Sequence, residues 1–264
     1  MKEVLVLIPA YNEEESIGAF LDNLKDAGVY DLADILVIND FSRDKTVRIA
    51  HEHHVKVINH VYNLGYGSAL QLGYKYAVRK GYRYVIQLDA DGQHDACNVF
   101  NIYHQLNTPM ENGKLPDIVI GSRFADGSET FYINGLKRIS IRFFRWMIRK
   151  TTGNVIKDPT SGLQGLNRDA FLYYSKYQNF DYMYPDANMI VQMLMLGYRI
   201  VEIPSVMHER MAGESMHSGI LKPLIYMMVM PLSVLAVYLR LKTKRQRKAH
   251  LEKQEEKGNV QAKG

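Results

Sequence analysis

Short apolar runs punctuate the first half of the chain at residues 4–8, 35–38, 55–58, 84–88 and 118–120. They are near-continuous in Val, Ile and Leu instead of alternating with polar residues. That pattern predicts strands covered on both faces. Between them, 14–26, 45–53, 68–80 and 97–106 carry helical spacing. Strand and helix in turn predict an α/β fold with a mainly parallel sheet flanked by helices. Ligands bind such sheets beyond the carboxyl ends of the strands. The polar motifs should therefore follow the apolar runs.

They do. Pro9-Ala10-Tyr11-Asn12-Glu13-Glu14 follows the first run. Asn12 suits a helix cap, the two acids suit the helix dipole, and the Tyr11 ring suits stacking on a base. Asn39-Asp40-Phe41-Ser42-Arg43-Asp44 follows the second, where Asp40 suits a base or ribose and Ser42 or Asp44 caps the next helix. Asn63-Leu64-Gly65-Tyr66-Gly67 follows the third and fits either a phosphate approach or the turn that starts a helix. Gly121-Ser122-Arg123 follows the fifth. The fourth run leads into Gln87-Leu88-Asp89-Ala90-Asp91-Gly92-Gln93-His94. Residues two apart on an extended chain project to one side, so Asp89 and Asp91 can share one point, with the Gln93 carbonyl oxygen next. Oxygen-only donors suit a hard cation, Mg²⁺ or Mn²⁺.

Composition narrows the picture. A single cysteine, Cys97, excludes an internal disulfide framework. The net charge of +5 is local: residues 240–264 hold nine Lys/Arg and three Glu, leaving the rest near neutral. A broad nucleic-acid face is thereby excluded, and a basic C-terminal contact is favoured. The first apolar run is too short for a signal peptide.

Residues 131–150 form an aromatic, basic helical stretch containing Arg138, Arg142, Arg145, Phe143, Phe144 and Trp146. It reads as a solvated basic face or as a surface for anionic lipid. Asp186 precedes a helical run, 187–196, and reads either as an N-terminal acid or as a general base. Residues 223–239 carry no charge and stand at the lower limit for spanning a bilayer, with Pro231 inside. The basic residues that follow favour an interfacial or re-entrant helix on an anionic leaflet over a span. The expected division is a catalytic domain at 1–218, an apolar membrane-associated or oligomerisation helix at 219–242 and a basic disordered tail at 243–264.

Taken together, residues 9–13, 39–46, 63–69, 89–94, 121–123, 157–162 (Lys-Asp-Pro-Thr-Ser-Gly) and 208–215 (His-Glu-Arg-Met-Ala-Gly-Glu-Ser) resemble the family-2 glycosyltransferases of GT-A fold. The dolichyl- and polyprenyl-phosphate sugar synthase branch is the nearest. The resemblance implies that Pro9, Tyr11, Glu13, Ile38 and Asp40 hold a nucleotide. It implies that Asp89, Ala90, Asp91 and Gln93 hold the donor diphosphate and its Mg²⁺ or Mn²⁺, and that Arg123 and Arg210 contact phosphate. Arg138 and Ser140 would bind the acceptor. Met216-His217 stand where mannose synthases of the branch commonly carry a lysine.

The implied reaction is an inverting, metal-dependent transfer from a nucleoside-diphosphate sugar to a polyprenyl phosphate, at the cytoplasmic face of the membrane. Transfer to a hydroxyl of a lipid-linked glycan or growing polysaccharide is the alternative, with Asp186 as base. A sugar-nucleotide pyrophosphorylase would instead carry a glycine- and basic-rich loop after the first strand. A non-catalytic nucleotide-sugar binder would show no transfer. A homo-oligomer is compatible with the C-terminal apolar run.

Overall fold

Every residue of strand β1, Val4–Ala10, is buried. The computed structural model, which describes residues 2–129, 135–208 and 225–243, shows why. Alternate side chains enter two cores, one on each side of a sheet. Leu5 and Leu7 face one core, while Val4, Val6 and Ile8 face the other. The remaining strands are β2 Ala33–Asn39, β3 Lys56–Asn59, β4 Tyr84–Gln87, β5 Ile118–Ser122, β6 Gln164–Asn167 and β7 Ile200–Pro204. Their order is β3-β2-β1-β4-β6-β5-β7. All pairings are parallel except those of β6, which runs against both β4 and β5.

Helices α1 Ile17–Asp26, α2 Val29–Leu32, α3 Thr46–Glu52 and α5 Cys97–Leu106 cover one face. Helices α4 Tyr66–Lys80, α6 Gly135–Thr152, α7 Arg168–Tyr174, α8 Ala187–Leu196 and α9 Ile225–Thr243 cover the other. The α/β expectation thus holds, and five strands lie within two residues of their expected bounds. Helix α1 starts three residues later than expected. Asn12 does not cap it, and its first turn carries no acid. Asn12, Glu13 and Glu14 are used by the neighbouring loop instead.

Helix α9 is long and apolar enough to cross a membrane, yet it packs along the body. Tyr226, Met230, Val234 and Leu241 are buried, while Met228, Leu232, Leu235 and Leu239 are exposed. Arg240 Nη2 donates to Gln192 of α8, and Asn188 Nδ2 donates to Ser233 Oγ at 2.8 Å. The run therefore has no polar face because its second face is covered by protein.

Candidate active site

The first two strand ends are tied together before any ligand arrives. Pro9 and Ile38 are register partners near the carboxyl ends of β1 and β2, both buried. Beyond them, the N–H groups of Asn12, Glu13 and Glu14 donate to Ser42 Oγ, Thr46 Oγ1 and Asp44 Oδ2 at 2.8–3.0 Å. In return, the Arg43 and Lys45 N–H groups donate to Asn12 Oδ1 and Glu14 Oε2. Asp44 also accepts from the Thr46 N–H at the start of α3. Asn12 and Phe41 hold positive φ, 54° and 67°, an arrangement that costs of order 1–3 kcal/mol each. Tyr11 stays 46% exposed at this edge.

Asp40 is engaged within the fold. Its carboxylate accepts the N–H groups of Leu64 and Gly65, both at 2.8 Å, and His60 Nδ1 lies 2.7 Å from Oδ1. With that nitrogen protonated, His60 donates. Asp40 is thus the organiser of the 60–65 loop. The glycines of that loop start α4, and Gly67 is required by packing. A Cβ there would sit 2.5 Å from the Asp181 carbonyl oxygen.

The two acids of the Asp-x-Asp stretch differ. The ladder ends when the Leu88 N–H donates to the Leu7 carbonyl at 3.0 Å, and the chain turns at 90–92 with Gly92 at φ 72°. Two-residue alternation stops there, before Asp91. Asp91 is 4% exposed and accepts the Gln93 N–H at 3.1 Å. The Asp89 side chain is 33% exposed and accepts from Tyr66 Oη at 3.0 Å. Gly162 lies under it: a Cβ at 162 would fall 2.5 Å from Asp89 Oδ2. The Gln93 carbonyl accepts the His208 N–H at 2.8 Å, which leaves its second lone pair for a ligand. Two carboxylates and a carbonyl are donors of the kind a hard divalent cation takes, but strand alternation, which ends before Asp91, does not bring them to one point.

Arg123 follows β5 and is held by a carboxylate partner. Its Nε and Nη2 donate to Asp158 Oδ2 and Oδ1 at 2.7 and 2.6 Å, and Nη2 also reaches Thr160 Oγ1 at 2.8 Å. This is a buried bidentate pair, with Arg123 8% and Asp158 0% exposed. Burial alone would raise the Asp158 carboxyl. The guanidinium more than offsets it and holds the acid below its usual range. Glu202 accepts the N–H groups of Lys157 and Asp158 from behind, at 2.6 and 2.7 Å, and burial pushes its carboxyl up. Arg145 of α6 lies 4.5 Å over the Phe124 ring, and its buried Nη2 has no hydrogen-bond partner among the described residues.

Asp186 stands at the start of α8 without capping it. Its Oδ2 accepts from Tyr226 Oη at 2.9 Å. Burial pushes its carboxyl up to about 6; the Tyr226 hydrogen bond opposes this, Asp89 and Asp181 add to it, and Arg123 opposes it. The structure thus brings Asp89, Arg123 and Asp186 within mutual electrostatic reach. Arg138 is exposed on α6 and Ser140 half-buried. Arg210 and Met216-His217 lie outside the described residues.

Sequence reading passed over Tyr66, Asp158, Glu202 and Tyr226 as site residues. For Tyr226 a signal existed: a phenol in an apolar run needs a partner for its hydroxyl when buried.

This sheet, with its polar groups gathered at the carboxyl ends and an Asp-x-Asp turn at the centre, defines a glycosyltransferase of the GT-A class. Residues 5–173 match the model of glycosyl transferase family 2, and the chain belongs to that family. It is 30% identical over 223 residues to the undecaprenyl-phosphate mannosyltransferase of Micrococcus luteus, covering 82% of this chain and 88% of that one. It is 29% identical over 227 residues to the dolichol-phosphate mannosyltransferase of Pyrococcus furiosus, covering 82% and 60%. Among solved structures, glucosyl-3-phosphoglycerate synthase from Mycobacterium tuberculosis, in complex with Mn²⁺, uridine diphosphate and glucosyl-3-phosphoglycerate, superposes with TM-score 0.61. It shares 18% identity and the match covers 90% and 79% of the two chains.

Proposed function

We propose that this glycosyltransferase moves a sugar, with inversion, from a nucleoside diphosphate to a polyprenyl phosphate at the cytoplasmic membrane surface. The observation that carries this reading is one sheet edge holding an oxygen donor set, a buried Arg–Asp pair and Asp186, bordered by helices with exposed apolar rows. An acceptor phosphate oxygen would attack the anomeric carbon while its bond to the diphosphate oxygen breaks. The nucleoside diphosphate leaves with the bonding electron pair. A phosphate is already anionic and needs no base.

Tyr11 would stack on the base, and the tied loops 9–14 and 38–46 would hold the nucleoside. Asp89, Asp91 and the Gln93 carbonyl would hold Mg²⁺ or Mn²⁺. That ion, when bound, supplies Lewis-acid stabilisation of the departing diphosphate. A divalent metal is supported by the Mn²⁺ and uridine diphosphate in the M. tuberculosis enzyme. Arg123, pinned by Asp158, would act through its fixed positive charge. Arg210 and Arg138 would contact phosphate, and Ser140 the acceptor.

Membrane placement is supported by two neighbouring helices. On α6, Ile139, Phe143 and Trp146 are exposed beside Arg138, Arg142 and Arg149, and the Phe143 and Trp146 rings stack at 6.0 Å. On α9, the row Met228, Leu232, Leu235 and Leu239 is exposed. A helix held along its length against α8 cannot cross a bilayer without dragging the domain with it. An in-plane position satisfies both faces.

The raised carboxyl of Asp186 favours a second reading, transfer to a hydroxyl with Asp186 as base. One assay separates them. The full chain is incubated with vesicles carrying polyprenyl phosphate and a lipid-linked glycan, and with labelled nucleotide sugars, with Mg²⁺, Mn²⁺ or a chelator. A lipid-linked sugar formed only with metal is the expected product. Donor consumption with a glycan product alone would establish the second reading.

A further inference from the structure

The inner face of helix α9 reaches Asp186. We propose that Tyr226 positions Asp186 for sugar transfer, so that α9 is a wall of the active site as well as its membrane-facing helix. The proposal rests on the transfer reading above.

Four observations carry it. Tyr226 Oη donates to Asp186 Oδ2 at 2.9 Å, across 40 residues of sequence. The Tyr226 ring is gripped edge-on by Phe144 of α6, at 5.7 Å and 85°, and by Tyr184, at 5.3 Å and 79°. Its hydroxyl is therefore aimed by packing. A second stitch lies two turns along α9. Asn188 Nδ2 donates to Ser233 Oγ at 2.8 Å and to Asp181 Oδ2 at 2.6 Å, while the Asp186 N–H donates to Asn188 Oδ1 at 3.0 Å. The backbone and the carboxylate of Asp186 are thus both set by a network that includes α9. Finally, Asp186 does not cap α8, so the helix it begins does not fix its side chain.

The carboxylate so placed has one oxygen on Tyr226. Its other oxygen, Oδ1, accepts nothing from the described residues and can meet a hydroxyl of the transferred sugar or of the acceptor. Asp89 and Asp181 face it as negative groups, Arg123 as the positive one, the Tyr66 phenol of α4 as a neutral group, and Tyr226 as the neutral donor. Loss of the phenol would free the carboxylate to rotate. It would also make the charged form harder to hold, since Tyr226 stabilises it.

The test is Tyr226→Phe in the full chain, which keeps both ring contacts. On polyprenyl phosphate vesicles, kcat is expected to fall about tenfold with the donor KM and the bound fraction unchanged. The acid limb of the kcat profile should move up by about half to one pH unit, an effect of the size expected for one hydrogen bond to a charged group. Ser233→Ala should give a smaller loss in the same direction. The Asp186 carboxyl titration, followed by ¹³C NMR and assigned with Asp186→Asn, should show the same upward displacement without turnover. Unchanged kcat, pH limb and titration in Tyr226→Phe would overturn the proposal. A wild-type chain that transfers no sugar would instead remove the transfer reading and leave the titration readable. If Tyr226→Phe lowers the thermal midpoint by more than a few degrees, Ser233→Ala decides by the same readouts.

Discussion

The loops after β1, β2 and β3 and the region around α6, α8 and α9 are organised in different ways. In the first, polar side chains accept backbone N–H groups: Asp40 holds 64 and 65, Asp44 holds 14 and 46, and Ser42 holds 12. These loops, the nucleotide side of the proposed reading, are thus held by their own hydrogen bonds without a ligand. In the second, charge meets charge across long sequence distances: Arg123 with Asp158, and Asp186 near Arg123 and Asp89. There, Arg145 Nη2 is left unpaired among the described residues, and an acid is held at a raised pKa. A preformed donor side suits a ligand of constant shape. On the proposed reading, the second, charged region is the acceptor side, and it suits chemistry in which charge moves from one oxygen to another.

The contrast predicts how each half fails. The largest effect should follow Asp158→Asn, which leaves Arg123 buried beside a neutral amide. Stability should fall by about 3–5 kcal/mol, read from denaturant midpoints. A change under about 1 kcal/mol would mean that the pair is not the keystone of the acceptor side.

Asp91→Asn keeps an acceptor for the Gln93 N–H. It should reduce transfer by about 10²–10³-fold while the thermal midpoint stays within a few degrees. Near-normal turnover would remove Asp91 from the donor set. Asp40→Asn must leave one of the Leu64 and Gly65 N–H groups without its anionic acceptor. A loss of about 1–3 kcal/mol with a raised donor KM is expected. A KM change with no stability change would make Asp40 a direct nucleotide ligand after all.

Asp186→Asn should act in the opposite direction on stability. With its folded pKa raised to about 6 from 3.8, Asp186 binds more protons folded than unfolded between those values. Stability contributed by the protonated acid is therefore lost as pH rises through that window and stays lost above it. In chelated protein at pH 7, the amide should recover ~1–2 kcal/mol, flatten the pH dependence and depress transfer, a trade of activity for stability. The smallest effect should be that of Arg142→Ala, one basic residue on the exposed face of α6. Vesicle binding should weaken by about fivefold on an anionic leaflet and less at high salt, since each such residue is worth about 1 kcal/mol.

The two halves were also unequally legible. Strands buried on both faces show as unbroken Val/Ile/Leu runs, so β1, β2, β4 and β5 could be read directly. Helices α5 and α8 begin and end where periodicity placed them. The direction of β6 could not be read, because a four-residue strand has the same pattern either way round. On the donor side the right motifs were visible, but two roles were not. Asp40 serves the 60–65 loop, and Asn12 serves the 42–46 loop in place of α1. Local sequence favours the nearest helix as partner, and the fold supplied a loop 31 residues away. On the acceptor side, Arg123–Asp158 and Asp186–Tyr226 join residues 35 and 40 apart, so each residue was visible alone and the pairing was not. The apolar run 223–239 carries no charge and so shows no polar face in the sequence. What replaced that face, the packed body of α8 and α6, is tertiary.

The central claim is that the acceptor side receives an anionic oxygen. It is tested most directly by offering the full chain, with Mg²⁺ or Mn²⁺ and its preferred nucleotide sugar, a polyprenyl phosphate and the matching polyprenol in parallel vesicles. Lipid extraction and mass spectrometry then show which is glycosylated. Transfer to the phosphate, with none to the alcohol, is the predicted result. Equal or greater transfer to the alcohol would contradict it and would make Asp186 the base of a hydroxyl glycosyltransferase.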